Sequence, residues 1–286
     1  MSMGLRALLI GLLALALPVR AAPERVVAVG GDMTEIVYAL GAGSRLVGAD
    51  STSVYPPEAD ALPKVGYMRS LSTEGVLSLR PDLLIASAVA GPPGVLEQIG
   101  RIGVHVVRAP EGYDYAVVRE KIRRVGDALA MPAATARVLD DFAQAQARTE
   151  ARVAALKAAG PAPSVLFIMA HGAGVQVAGD QTAGGRVIEL AGGRNAVGRM
   201  AGYKPITAEA VIHAAPEVIL VSTEGLQIAG GIDGVLALPG VADTPAGRAR
   251  RVVDVDGMAL LGFSLRLPAV VRELAEALHA RPDAAP

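Results

Sequence analysis

Apolar positions in the first half of the chain come in short runs separated by polar or glycine-rich breaks. Arg25 to Gly30 (RVVAVG) reads as a short strand, and Asp32 or Thr34 is expected to cap a helix continued by Ile36 to Leu40. Gly41-Ala42-Gly43 stops that helix, and Leu46-Val47-Gly48 opens a second strand. Asp50 to Pro63 is a loop rich in Ser, Pro and Asp. Thr73 is expected to cap a helix around Glu74 to Leu79, Pro81 breaks it, and Asp82 to Ser87 (DLLIAS) reads as a buried strand. Val95 to Ile102 is helical, Val104 to Val107 is a strand, and Arg119 to Leu129 is a further helix. Such β-α alternation predicts a parallel sheet covered on both faces.

Ala133 to Ala159 breaks this rhythm. It holds no Gly or Pro, and Val138, Leu139, Phe142, Ala145, Val153 and Leu156 fall near helical spacing. Continuous, it would run about 40 Å at 1.5 Å per residue, either as one strut or as two shorter helices packed on one domain. Gly160-Pro161-Ala162-Pro163 ends it, and the alternation restarts. Strands are predicted at Ser164 to Met169, Val218 to Ser222 and Val252 to Val255, with helices at Arg186 to Leu190 and Pro268 to His279.

The restart echoes the first half. Residues 74–87 (EGVLSLRPDLLIAS) and 209–222 (EAVIHAAPEVILVS) share the pattern E-x-V-[LI]-x-x-x-P-[DE]-[LV]-[LI]-[IL]-[AV]-S. Gly31-Asp32-Met33-Thr34 and Gly179-Asp180-Gln181-Thr182 form a smaller echo. An internal duplication predicts two similar lobes. The expected layout is an N-terminal lobe over 23–131, a linking helix over 132–160 and a C-terminal lobe over 161–286.

Composition narrows the setting. Hydrophobic residues make up 52% of the 286 and aromatics only 3%, which suits alternating helices and strands more than an all-β fold. Arg6 followed by the apolar run Ala7 to Pro18, with small residues at Ala21 and Ala22, reads as a signal peptide over 1–22, too short to span a bilayer. Losing Arg6 and Arg20 takes the net charge from −1 to −3, and no basic cluster favours a nucleic-acid partner. No cysteine is present, so disulfides, a lipid-modified cysteine and Cys-ligated metals are excluded. An exported, soluble periplasmic protein is expected.

The chemistry centres on Val65-Gly66-Tyr67-Met68-Arg69. In an extended segment Tyr67 and Arg69 point to the same side. A phenol binds ferric iron as the phenolate, which nearby positive charge favours, and tyrosine is a known axial ligand of haem iron. Read alone, the segment is either such a ligand with its tuning arginine or a surface turn with a half-buried tyrosine. His171 follows the apolar run Val165 to Met169, at the carboxyl end of a predicted parallel strand, where open α/β sheets place ligands. His105, His213 and His279 show no ligand spacing to it. Met258, Leu260, Leu261 and Phe263 are either an apolar wall or ordinary core. An enzyme reading fails on motifs: Gly41-Ala42-Gly43-Ser44-Arg45-Leu46 lacks the third glycine of a dinucleotide fingerprint, and no phosphate loop or nucleophile elbow is present.

Four stretches in order carry a family resemblance. These are residues 31–43 (GDMTEIVYALGAG), 65–69 (VGYMR), 169–172 (MAHG) and 256–263 (DGMALLGF). From about Val26 onward the chain resembles the periplasmic haem-binding proteins of the HmuT type, substrate-binding components of bacterial ABC haem importers. The resemblance implies an α/β fold of two Rossmann-like lobes with parallel sheets bridged by one long α-helix, with haem in the cleft. It implies Tyr67 as tyrosinate ligand, Arg69 as its basic neighbour, and His171 on the other haem face or on a second haem. It also implies docking of Glu74 and Glu209 onto arginines of an inner-membrane permease that works with its ATPase; of the apolar wall, Met258 is the expected haem contact. A monomer that carries haem and catalyses nothing is expected, with a ferric siderophore or cobalamin as the alternative cargo. The resemblance further implies a second-lobe arginine on the tyrosine, but no Arg or Lys occurs between Lys204 and Arg248.

Overall fold

The computed structural model describes residues 22–171 and 174–280; the predicted signal peptide, Ala22 apart, lies outside them. Two sheets lie on either side of one long helix. In the first, β1 (Val26–Val29), β2 (Leu46–Ala49), β3 (Leu83–Ala86) and β4 (His105–Arg108) run in the order β2-β1-β3-β4, all neighbours parallel. Every residue of β1 and β3 is buried, which is why both read as unbroken apolar runs.

The second sheet contains β5 (Ser164–His171), β6 (Gly174–Ala178), β7 (Arg194–Asn195), β8 (Tyr203–Lys204), β9 (Val218–Ser222) and β10 (Val252–Val255). Its order is β10-β9-β5-β6-β8, with β7 beside β5. The core β10-β9-β5 is parallel, whereas β6 and β8 extend it as antiparallel strands. That extension departs from the predicted purely parallel pattern. β5 ends at His171 and β6 begins at Gly174, leaving no room for the dozen or so residues a parallel crossover needs.

A continuous helix, Pro132–Ala159, joins the halves. Helices Tyr115–Ala128 and Leu267–His279, one from each half, pack along it. Gly126 permits the first of these approaches, since a Cβ there would collide with the Thr135 hydroxyl. Thr149 fixes the second by donating its hydroxyl to the Pro268 carbonyl at 2.8 Å. Phe142 packs edge-on against Tyr115. The largest core cluster therefore runs without a break from Val26 and Ile36 through Phe142 and Val153 to Phe167 and Leu274.

The duplication is structural as well as sequential. Ser72 and Thr207 each cap a short helix, accepting the N–H of Gly75 and of Ala210, and β3 and β9 follow at the same spacing. The first cap is Ser72 and not Thr73: Ser72 has the extended backbone a capping residue needs, and Thr73 already lies in the helix. Asp32 and Thr34 likewise cap nothing, because helix Gly31–Ala39 starts at Gly30 and places both inside it. Among the described residues no helix is long and apolar enough to cross a membrane.

Candidate functional site

The first lobe presents its loops at the carboxyl edge of its sheet. After β2 the chain turns on Asp50, whose buried carboxylate accepts the Gly30 N–H at 2.8 Å and the hydroxyls of Thr52 and Ser53. The chain then returns alongside: Val65 N–H donates to the Ala49 carbonyl, and Ser51 N–H donates to the Gly66 carbonyl at 2.9 Å. Gly66 has φ +100°, a left-handed backbone that favours glycine. Tyr67 follows it immediately.

Residues 67–70 form a turn closed by Ser70 N–H on the Tyr67 carbonyl, not the extended segment expected. The same-side argument for Tyr67 and Arg69 therefore does not apply. What holds the turn is burial at both ends, Val65 at 7% and Leu71 at 5% exposure, together with two backbone bonds: Gly91 N–H donates to the Met68 carbonyl and Leu71 N–H to the Gly91 carbonyl. Tyr67 itself is 45% exposed, and among the described residues its hydroxyl has no hydrogen-bond partner. Val54, Tyr55 and Val89 on neighbouring loops are exposed to a similar degree. Together they leave an uncovered apolar rim at the sheet edge, the mark of a binding surface.

The second lobe faces this rim. Tyr113 from the first lobe and Thr182, Arg186 and Glu189 from the second line a groove between them. Arg69 is exposed, and its charge reaches Tyr203 of the second lobe. Burial pushes the Tyr203 phenol up, the Gly184 N–H and Arg69 oppose it, and burial prevails. The last residue of β5 is His171, and its side chain lies outside the described residues.

The predicted apolar wall divides. Leu260 and Phe263 are core, Phe263 packing at 5.3 Å on Tyr113. Met258 is half-buried beside the first lobe, its Cε 3.7 Å from where a Cβ on Gly31 would sit. Thr52, whose carbonyl also crowds that position, places its hydroxyl 4.0 Å from the sulfur of Met68. Gly31 thus stands between Met258 of the second lobe and Thr52, which lies beside Met68 on the Tyr67 loop. Asp256 fixes Met258 there by capping helix Gly257–Gly262 through the N–H groups of Met258 and Ala259.

Two cations, Lys121 of the first lobe and Arg266 of the second, each bond across the junction of the lobes. Lys121 Nζ donates to Asp32 at 2.7 Å and to the Gly262 and Phe263 carbonyls at 3.2 and 3.1 Å, using all three of its protons. The carbonyls close helix Gly257–Gly262, so the cation sits where that helix end favours it. Arg266 of the second lobe donates twice to Glu35 of the first, at 3.0 and 2.8 Å, and once to Asp256 at 2.7 Å. Burial pushes the Glu35 carboxyl up against the pull of Arg266 and Ser264. Sequence reasoning missed Lys121 and Arg266, because no local spacing marks a cation whose partner lies 89 or 231 residues away.

Glu74 and Glu209 are both exposed in the first turns of the duplicated helices. The Glu209 carboxyl is held below the usual range by its own backbone N–H and the Thr207 hydroxyl. In a parallel β-α-β unit the helix starts at the carboxyl edge of the sheet, so both acids stand on the edge that carries the loops above. The Gly75 Cβ position, 3.6 Å from the Val65 carbonyl, shows how near the first helix starts to the Tyr67 loop.

This arrangement has close counterparts. Residues 26–259 match the family described as periplasmic binding protein. BhuT, a periplasmic haem-binding protein solved with two haems, is 46% identical over 89% of this chain and 97% of its own, with a TM-score of 0.85. RhuT, a periplasmic haem-binding protein from Roseiflexus sp. RS-1 solved in apo form, is 41% identical over 90% of this chain and 98% of its own, with a TM-score of 0.84. The vitamin B12-binding protein of Pectobacterium atrosepticum is 27% identical over 73% of this chain and 75% of its own length. Two α/β lobes on one long helix, loops gathered at facing sheet edges and a family match across both lobes lead to one assignment: the chain belongs to the periplasmic binding protein family.

Proposed function

We propose that this protein is a periplasmic carrier that takes haem into the groove between its lobes and delivers it to an ABC permease in the inner membrane. One observation carries the reading: Tyr67 is half-exposed on a turn pinned at both ends, with the similarly exposed Val54, Tyr55 and Val89 on the loops of the same sheet edge. A flat apolar macrocycle would cover that rim, and a phenolate oxygen suits its ferric iron. The two haem-binding relatives above support the choice of cargo, as does the family for the transport role.

In this reading Tyr67 ligates the iron and favours its ferric state, which suits a carrier that must hold haem without activating oxygen. Arg69 supplies positive charge at the groove, for the phenolate or for a propionate. His171, at the carboxyl end of β5, serves the opposite haem face or a second haem. Met258 packs against the macrocycle from the second lobe. The protein makes and breaks no covalent bond in its cargo.

Titrating the mature protein with haemin, followed by visible absorbance, tests the assignment. The expected result is saturation at one or two haems with a ferric-tyrosinate spectrum. The vitamin B12-binding relatives favour cobalamin as the second reading. Saturation by cyanocobalamin with no response to haemin would exchange the two.

Glu74 and Glu209, one per lobe, match a two-point dock onto basic residues of the permease. Replacing both with Ala should leave haemin binding intact and abolish stimulation of the transporter's ATPase in proteoliposomes. Stimulation that survives the double replacement removes the docking role.

A further inference from the structure

Arg266 has a third contact that its ion pairs do not explain. Its guanidinium lies 4.4 Å from the centroid of the Tyr55 ring. Glu35 and Asp256 take the in-plane donors of the fork, which leaves its flat faces free to stack. Tyr55 belongs to the first lobe and Arg266 to the second, so the ring is held from across the groove. Tyr55 is nevertheless 46% exposed. An aromatic side chain fixed on one side and open elsewhere offers a flat surface on which a planar apolar group can stack.

Its position is tied to the proposed iron ligand at several points. Ser51 N–H donates to the Gly66 carbonyl, next to Tyr67. Lys64 Nζ donates to the Ser53 carbonyl at 2.8 Å. Thr52 lies between Met68 on one side and Gly31 with Met258 on the other. Asp256, which receives Arg266, also caps the helix that begins at Met258. Tyr55 and Tyr67 thus stand on adjoining loops of the first lobe, joined by the Ser51–Gly66 and Lys64–Ser53 bonds and by Thr52 against Met68.

We propose that Tyr55 is a second aromatic contact for the haem, and that Arg266 is the positioning residue that aims its ring. The proposal rests on the haem reading above. Tyr67 supplies the bond to iron; Tyr55 supplies a face for the porphyrin edge or plane. Arg266 makes that face depend on the relation between the lobes.

The test is haemin titration of the mature protein and its variants, reading affinity and spectrum separately. Tyr55→Ala is expected to weaken haemin binding roughly tenfold, the size of a lost aromatic contact, with the ferric-tyrosinate spectrum unchanged. Tyr55→Phe keeps the ring and is expected to bind as wild type does. Arg266→Lys keeps the charge but loses the planar stack; it should weaken binding in the wild-type background and cost nothing further in Tyr55→Ala, since the two act as one unit. Equal affinity of Tyr55→Ala and wild type would overturn the contact and leave the haem carrier standing. Additive losses in the double variant would overturn the positioning role of Arg266. A wild-type protein that takes up no haemin removes the function and this contact together.

Discussion

Haemin added to the Tyr67→Ala protein should give no tyrosinate absorption and bind on the order of a hundredfold or more weaker than to wild type. The magnitude follows from rank: replacing groups that only orient metal ligands costs roughly 10–100-fold, and Tyr67 is proposed as the ligand itself. The turn should survive, because Val65 and Leu71 anchor it by burial and the Met68 and Leu71 backbone bonds to Gly91 do not involve the phenol. Residual uptake would come from the apolar rim, which keeps Val54, Tyr55 and Val89. Tyr67→Phe is the stricter form, since it deletes only the oxygen. If either variant keeps the wild-type spectrum and affinity, iron is bound elsewhere and the site must be reassigned.

Lys121→Met should cost the largest share of stability of any single change at the lobe junction. Lys121 and Asp32 have side chains only 6% and 5% exposed. Methionine fills much of the same space but, among the described residues, leaves the Asp32 carboxylate with only the long contact from the Ser87 hydroxyl. It also strips the Gly262 and Phe263 carbonyls of their donor. Removing one member of a buried pair typically costs about 3–5 kcal/mol, while replacing both by apolar groups is often neutral. Urea unfolding of Lys121→Met and of Lys121→Met with Asp32→Leu should therefore show a large loss and a partial recovery. A single-variant loss below about 1 kcal/mol would mean the pair is not dry in solution.

Those two residues also mark where sequence reading reaches its limit. β9 and β10 match their predicted bounds because each is a short valine-rich run between turn residues. The connector is legible because nothing from Pro132 to Ala159 interrupts a helix beyond the proline at its first turn. Helix starts are less so: Ser72 and Thr73 are equally good capping residues on paper, and only the backbone angle decides. β6 is missed because Gly174-Val-Gln-Val-Ala is too short and mixed to separate from a loop. Around the site, Tyr67, Arg69 and Met258 were legible as candidates, whereas their geometry was not. Tyr67 and Arg69 sit on a turn, and Arg69 acts on Tyr203 across the groove. Tyr55 and Arg266 carry no pattern, since each acquires its role from a partner in the other lobe.

The unbroken core along helix Pro132–Ala159 has a consequence for how the molecule comes apart. Each sheet has one face covered by a cluster of its own lobe, while the inner cluster is shared by both lobes. Neither half is a closed unit, because helices packed on the connector close both. Calorimetry should accordingly record one cooperative transition for the whole chain, and two separated transitions would show the halves to be independent. A fragment cut at either end of the connector would expose Phe142, Val153 and the helix faces they cover, and would aggregate before it could bind anything. Carrying cargo between two lobes has here been built as a single folding event.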